Sequence, residues 1–495
     1  MERSKQSSEW VLAVLILSAP RLARLMSPAV HIEDPNYIYG AFLITLGQQP
    51  FLQFAQPNPP LLESFLALFY MIFGVSYRIP EMLTALAYIG TGIVIYRMGS
   101  RWFSPIAGLW AAVFYSFHFL LFRYHLFERE VFATLAVALA VDRIMMPSED
   151  RRQEWVAGAF LGLGFVCKQT ALVPFAVLTG MLVLFHRRWR SALWLIIGFL
   201  GVFAITSVGY TYLYGIHYWR QTLWFHFIKG TVAPWQEKSI LTVWALGYLI
   251  PFLAGSIYVF LKPLRSFEWI LAGLFAADIV FFWFVTGAFW PHYLLSTIFP
   301  ATLLAGGVIH SWINAFKNGP YQKYRAVVSF VLTLVTATVM GVLAPGSLLG
   351  TNVAEAYGFD GIPRKEIDRC SAFIKEHTLP GELIISDPFI ALVSERAKVV
   401  KFKDNWGLIM KMYRLIDEGR YWEGIKEMST QNFGDVRFAS QKEWEPMILE
   451  ALTTDKVGAI QPNYELPLPP DRMRQFGFKQ GYRSLYYEIW IRDNR

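Results

Sequence analysis

WVLAVLILSAPRLARLMSPAVHIEDPNYIYG, residues 10–40, decides how the rest of the chain is read. Trp10–Val30 is an apolar run long enough to cross a bilayer as a helix. Two adjacent carboxylates, Glu33 and Asp34, follow it directly and therefore belong at a membrane surface. Acid groups there are costly to desolvate, and they are functional when they face a protein cavity.

Working outward, the same apolar pattern recurs at Pro80–Met98, Pro105–Phe122, Val131–Met146, Val156–Cys167, Thr170–Phe185, Ser191–Leu213, Ile240–Leu261, Trp269–Gly287, Tyr293–Trp312 and Ala326–Ala344. The chain has 495 residues, 55% hydrophobic and only 17% charged, and the charges are concentrated outside these runs. The pattern predicts a polytopic α-helical membrane protein of about 11 transmembrane helices, residues 1–345, followed by a soluble α/β domain, residues 346–495. In that tail Arg364–His377, Asn405–Glu418 and Trp444–Leu452 have helical spacing. Glu382–Ser386, Lys398–Phe402, Val457–Gln461 and Leu485–Arg492 have the composition of strands.

A net charge of +8 raises the question of nucleic acid, and position answers it. The basic residues cluster in short links: Arg3 and Lys5, Arg97 and Arg101, Arg143 with Arg151 and Arg152, Arg187 with Arg188 and Arg190, Lys262 and Arg265, Lys317 with Lys323 and Arg325. Threading the spans from a cytoplasmic N-terminus puts all these links inside, as the positive-inside rule requires. No nucleic-acid partner is needed. The same threading puts 31–79, 123–130, 214–239, 288–292 and the tail outside. Pro60–Val75 is also apolar, but counting it as a span inverts every later link, so it is placed as a helix along the outer surface. The two cysteines, Cys167 and Cys370, have no metal-ligand spacing. Arg21 and Arg24 interrupt the first apolar run, which favours a retained anchor over a cleaved signal.

Four outer features stand together. Glu33 and Asp34 are followed by Tyr37. Glu128 and Glu130 lie in RYHLFEREV. Lys168, Arg220 and Lys229 are cations at the outer membrane level, with Arg21, Arg24, Arg78 and Arg123 as further basic groups. The aromatic loop 214–236 carries His217 and His226. A base near an acceptor hydroxyl, fixed cations near an anionic leaving group and aromatic rings for a sugar face fit transfer of a sugar from a lipid phosphate. Each feature also has a plainer reading. The acidic pair can be a solvated loop, Glu128 and Glu130 can pair with Arg123 and Arg129, and the histidines can belong to an aromatic belt. Lys168 is sharper, because a lysine between two short apolar halves is costly without a partner. A transporter or lipid flippase with an accessory soluble domain is the rival class. It calls for midplane charges and internal repeats; the charges gathered above sit at the outer ends of the spans, Asp278 lies inside one with its role open, and no repeat is found. A non-catalytic anchor for the tail would need no such gathering of charges.

The order of these motifs resembles that of the GT-C membrane glycosyltransferases, in the branch of the protein O-mannosyltransferases and lipid-A aminoarabinose transferases. Glu33-Asp34-Pro35-Asn36-Tyr37 is similar to the family's outer-loop Asp-Glu-x-x-Tyr. Gly47–Pro50, Gln56–Pro60 and Leu61–Gly74 follow as the small-residue turn, proline-rich stretch and surface helix. EREVFATLAVALA, GLGFVCKQTALVPF and PHYLLSTIFPATLLAG match later elements and single out Lys168, His292 and Tyr293. The resemblance implies an inverting hexosyl- or pentosyltransferase that uses a polyprenyl-phosphate sugar. Its acceptor would be a hydroxyl of a protein, lipid or glycan, outside a prokaryotic cell membrane. It implies that Asp34 or Glu33 is the base, with Glu130 or Glu128 orienting the acceptor or supporting that acid. Lys168, Lys229, Arg220, His292 and Tyr293 would hold the donor phosphate; Tyr37, Asn58 and His226 would position the acceptor. Asn58 stands where the aminoarabinose branch has a phosphate-binding lysine. No cofactor or divalent metal is required by the residues read.

Overall fold

The computed structural model describes residues 2–32, 35–146, 152–224, 235–247, 249–259, 266–285, 291–315, 361–399, 418–420, 445–454, 456–462 and 468–493, with isolated positions between them. They form two compact units that interleave along the chain. One comprises Met1–Ser27, Leu83–Ser207 and Ala233–Phe359; the other comprises Pro28–Met82, Val208–Val232 and Asp360–Arg495.

The first unit is helical. Among the described residues, four helices are long and apolar enough to cross a membrane: Arg78–Trp102, Trp189–Tyr214, Phe267–Val285 and Pro291–Asn314. Pro105–Ser116 and Gln169–Leu184 are shorter apolar helices. Leu193, Ile197, Leu200 and Ile205 of the Trp189–Tyr214 helix are exposed, with Ile205 76% exposed. An apolar stripe of this kind is stable against acyl chains and costly against water.

Glycines set a close helix crossing. A Cβ on Gly198 would lie 2.1 Å from the Trp155 carbonyl, and one on Gly158 would lie 2.0 Å from the Leu195 carbonyl. The Arg152–Cys167 helix can therefore meet its neighbour only through small residues, the usual solution where lipid supplies no hydrophobic drive. At the other helix ends, basic links find buried carboxylates. Arg97 and Arg101 both bind Asp142, Arg101 at 3.1 Å. Arg188 binds Glu154 at 2.7 Å.

Two spans read as continuous are broken. The segment Ile240–Leu261 is two helices, Trp235–Leu246 and Leu249–Val259, because Gly247 takes a left-handed φ of 47° between them. Pro105–Phe122 ends as a helix at Ser116. A short turn, Phe119–Arg123, follows, with the Leu120 N–H donating to His118 Nδ1 at 3.4 Å. The last predicted span, Ala326–Ala344, lies almost wholly outside the described residues.

The second unit gathers the described parts of three segments that the charge threading puts on one side. Strand β1 (Ala29–Val30) pairs antiparallel with β2 (Ile362–Pro363). The predicted surface helix is Leu61–Phe73, which buries Leu62, Leu66, Ala67 and Tyr70 and exposes Phe65, Leu68, Met71, Ile72 and Phe73. The tail holds a five-stranded sheet of β3 (Leu383–Ile385), β4 (Ala397–Lys398), β5 (Val457–Ile460), β6 (Phe478–Arg483) and β7 (Glu488–Arg492), in the order β4-β3-β5-β7-β6. β3 is parallel to β4 and β5, whereas β7 is antiparallel to β5 and β6. Ile385, Ile460, Leu468, Phe478 and Trp490 contribute to its core. The predicted helix Asn405–Glu418 falls outside the described residues except Glu418.

Candidate active site

Three interruptions in helices of the first unit bring chemistry together. The first is the loop before the Arg129–Ile144 helix. Its backbone is held from several directions. Arg21 donates to the Leu121 carbonyl at 2.6 Å and to that of Ser116. Tyr88 donates its hydroxyl proton to the Tyr124 carbonyl at 2.8 Å. Arg24 Nη2 lies 3.3 Å from both ring nitrogens of His125. Phe127 sits at a φ of 60°, a strained value for a residue with a Cβ. Its N–H donates to Thr84 Oγ1 at 2.9 Å. This turn delivers Glu128 as the helix N-cap residue and Glu130 into the first turn, where the helix dipole favours an anion.

The second interruption is Lys168. The Arg152–Cys167 helix stops there because Lys168 is extended, with φ −152° and ψ 125°, before a 3-10 turn at Gln169–Ala171. Its ammonium lies 2.7 Å from Glu130 Oε1. The third is the 3-10 turn Pro291–Leu294. His292 Nε2 lies 3.8 Å from the same Glu130 oxygen. The Lys168 ammonium is 5.0 Å from the centre of the Tyr293 ring, within cation–π range. Tyr124 presents an edge-on contact to His292 at 5.4 Å.

The structure thus groups Glu128, Glu130, Lys168, His292 and Tyr293. Both glutamates and Lys168 are buried. A buried pair of opposite charges persists only with close geometry, and Glu130 has Lys168 at bonding distance with His292 just beyond. Glu128, Glu130 and His292 each offer one ligand atom, and all three atoms lie within 4.8 Å of one another. They could hold a divalent cation, though Lys168 would compete with it for Glu130. Arg129, the neighbour sequence offered as a helix-end partner, donates to the Cys167 carbonyl at 3.4 Å. Edge-on Tyr124 is a site neighbour that sequence reading passed over, although it lies in the RYHLFERE stretch; fully buried Arg129 was read there only as a helix-end partner.

The second unit places Tyr37, Asn58 and Arg220. Tyr37 is buried in the Asn36–Thr45 helix, and Asn58 is buried in the proline-rich stretch. Arg220 is half-buried at the start of a π turn, Arg220–Trp224. The following Gln221 ties that turn down, accepting from the Gln56 N–H at 3.0 Å and donating to the Phe51 carbonyl at 2.9 Å. The Gln56 side chain donates to Glu63 at 2.7 Å. Glu33, Asp34, His226 and Lys229 lie outside the described residues.

Residues 57–211 match the family model of dolichyl-phosphate-mannose-protein mannosyltransferase. Among solved structures, the chain is similar to ArnT from Cupriavidus metallidurans bound to undecaprenyl phosphate, with a TM-score of 0.61 at 13% identity over 97% of each chain. The apo form of that protein gives 0.60 at 13% identity, over 99% of this chain and 98% of the other. This chain shares that protein's fold. An oligosaccharyltransferase from Archaeoglobus fulgidus, tethered with an acceptor peptide, is similar more distantly. Its TM-score is 0.51 at 14% identity, covering 92% of this chain and 68% of that one. No curated protein sequence matches the chain. The Glu130 cluster is built from three of the motifs that carried the family resemblance in sequence.

Proposed function

We propose that the protein is an integral-membrane, inverting glycosyltransferase. It moves a monosaccharide from a polyprenyl phosphate to an acceptor hydroxyl on the extracytoplasmic side of a prokaryotic cell membrane. The observation that carries this reading is the Lys168–Glu130 pair, 2.7 Å apart with His292 alongside, at three helix breaks in a fold shared with ArnT. ArnT binds undecaprenyl phosphate, and a lipid phosphate is the group that cations at such breaks would receive.

The acceptor oxygen attacks the anomeric carbon, the bond from that carbon to the phosphate oxygen breaks, and the electron pair leaves with the phosphate. Glu33 or Asp34 takes the hydroxyl proton. Lys168, Lys229, Arg220, His292 and Tyr293 stabilise the charge that develops on the leaving phosphate. Glu130 serves by fixing the Lys168 ammonium before the donor arrives, which removes the cost of ordering a flexible lysine in the transition state. Glu128 orients the acceptor or supports the base, and Tyr37, Asn58 and His226 position it. The tail lies outside the cell with the first loop, and the N-terminus inside. No metal is assigned a role.

The test is transfer by purified protein in lipid discs, supplied with a panel of polyprenyl-phosphate sugars and crude envelope acceptors. Label should leave the lipid fraction for the acceptor fraction while free polyprenyl phosphate accumulates. Movement of lipid or solute across a reconstituted bilayer without any such transfer would overturn the reading in favour of a transporter.

A further inference from the structure

The acidic motif lies in residues 31–38, and both ends of that segment are tied to the C-terminal tail within one compact unit. At its start, Ala29 faces Pro363 and Val30 faces Ile362 across the β1–β2 pair. The Arg364 N–H donates to the Pro28 carbonyl at 2.8 Å. Gly361 approaches so closely that a Cβ there would lie 2.1 Å from the Val30 carbonyl. The Arg364 guanidinium then forms a two-pronged, buried bond with Glu81, at 2.9 and 2.8 Å, and lies 5.4 Å from the centre of the Tyr77 ring. At the far end, Tyr39 is fully buried in the Asn36–Thr45 helix. Its hydroxyl accepts the Lys398 N–H of β4 at 2.9 Å, and the Lys398 ammonium stands 6.0 Å from its ring centre. Asn36–Thr45 also packs on the tail helix Pro388–Ser394.

A loop held at one end samples many geometries, whereas a general base must sit within a fraction of an ångström of its task. We propose that the tail is the positioning element for the acidic motif: β2 and Arg364 fix where the segment begins, and Lys398, through Tyr39, fixes where it ends. Tyr39 and Arg364 are positioning residues, not catalytic ones. The proposal rests on the reading of Glu33 or Asp34 as the base.

Hydrogen exchange by mass spectrometry on the full-length protein in lipid discs tests it without needing turnover. Tyr39→Phe keeps the ring and removes only the hydroxyl; Arg364→Lys keeps the charge and removes the two-pronged bond. Each should make the amides of 31–38 exchange about tenfold faster. Each should also lower kcat about tenfold while the KM for the lipid donor stays within about twofold. Lys375→Met, which breaks the exposed Lys375–Glu395 pair of the same tail, should leave both readouts unchanged. Unaltered exchange over 31–38 in both variants overturns the proposal; faster exchange with an unaltered kcat upholds the tether and overturns the reading of Glu33 or Asp34 as the base. Because exchange is read without substrate, the tether is decided even if the assignment of the base fails.

Discussion

Replacing Lys168 by methionine removes an ammonium held 2.7 Å from a buried carboxylate and leaves a side chain of similar length. At an effective dielectric near 20, two unit charges at that distance attract by ~6 kcal/mol before desolvation is counted. The net cost of removing one partner from a buried pair is smaller, about 3–5 kcal/mol, and comes mainly from the orphaned charge. His292, 3.8 Å from the same oxygen, limits the loss if it takes up a proton. Lys168→Met should therefore lower the melting temperature in detergent by roughly 3–5 °C, compared at one scan rate because unfolding of such proteins is irreversible. The double variant Lys168→Met/Glu130→Gln removes both charges and should recover most of that loss, giving a coupling of about 2 kcal/mol or more. Both variants should lose transfer activity, since neither retains the cation. Additive melting shifts, or a Lys168→Met protein as stable as the parent, would refute the argument that the two side chains form one buried unit.

Further outcomes follow from packing and from charge. Gly198→Ala puts a Cβ 2.1 Å from the Trp155 carbonyl and should sharply reduce the yield of folded protein, whereas Gly201→Ala, with open space around it, should be neutral by size-exclusion profile. In the tail, hydrogen bonds from Ser484 and Tyr482 hold the Glu366 carboxyl below its usual range. A depressed carboxyl stabilises above its unfolded value and loses that contribution as pH falls through the folded one. Tyr482→Phe should consequently melt lower than the parent at pH 7, and the gap should close as pH drops below the ordinary glutamate range near 4.5. A gap that persists at pH 3 would mean that the lost hydroxyl bond, and not the carboxylate charge, is responsible, since the ring is kept.

The membrane part was legible because bilayer thickness imposes run lengths that one sequence displays. The predicted helix within Pro60–Val75 is present as Leu61–Phe73; its place along the surface rests on charge bookkeeping, since treating it as a span would invert the basic links. Lys168 was legible because its cost between apolar halves demanded a partner. The identity of that partner was not, because Arg123 and Arg129 are equally available to Glu130 in sequence, and only the fold turns Arg129 toward the Cys167 carbonyl. Breaks at Gly247 and His118 escaped notice because apolar residues continue through them. The Asn36–Thr45 helix was missed despite the helix-start signal of Pro35. Strand β6, FKQGYR, was missed because its side chains are mostly exposed on a sheet edge and carry no apolar alternation. The pairing of Arg364 with Glu81 spans 283 residues, and nothing local in the sequence announces it.

The most direct test of the account is turnover of the Glu33→Gln/Asp34→Asn double variant in the discs used for the parent protein. Both substitutions preserve shape while removing the negative charge and the ability to accept a proton. The account predicts a protein that melts with the parent, still binds polyprenyl phosphate, and releases none from a polyprenyl-phosphate sugar. Release at the parent's rate would contradict it.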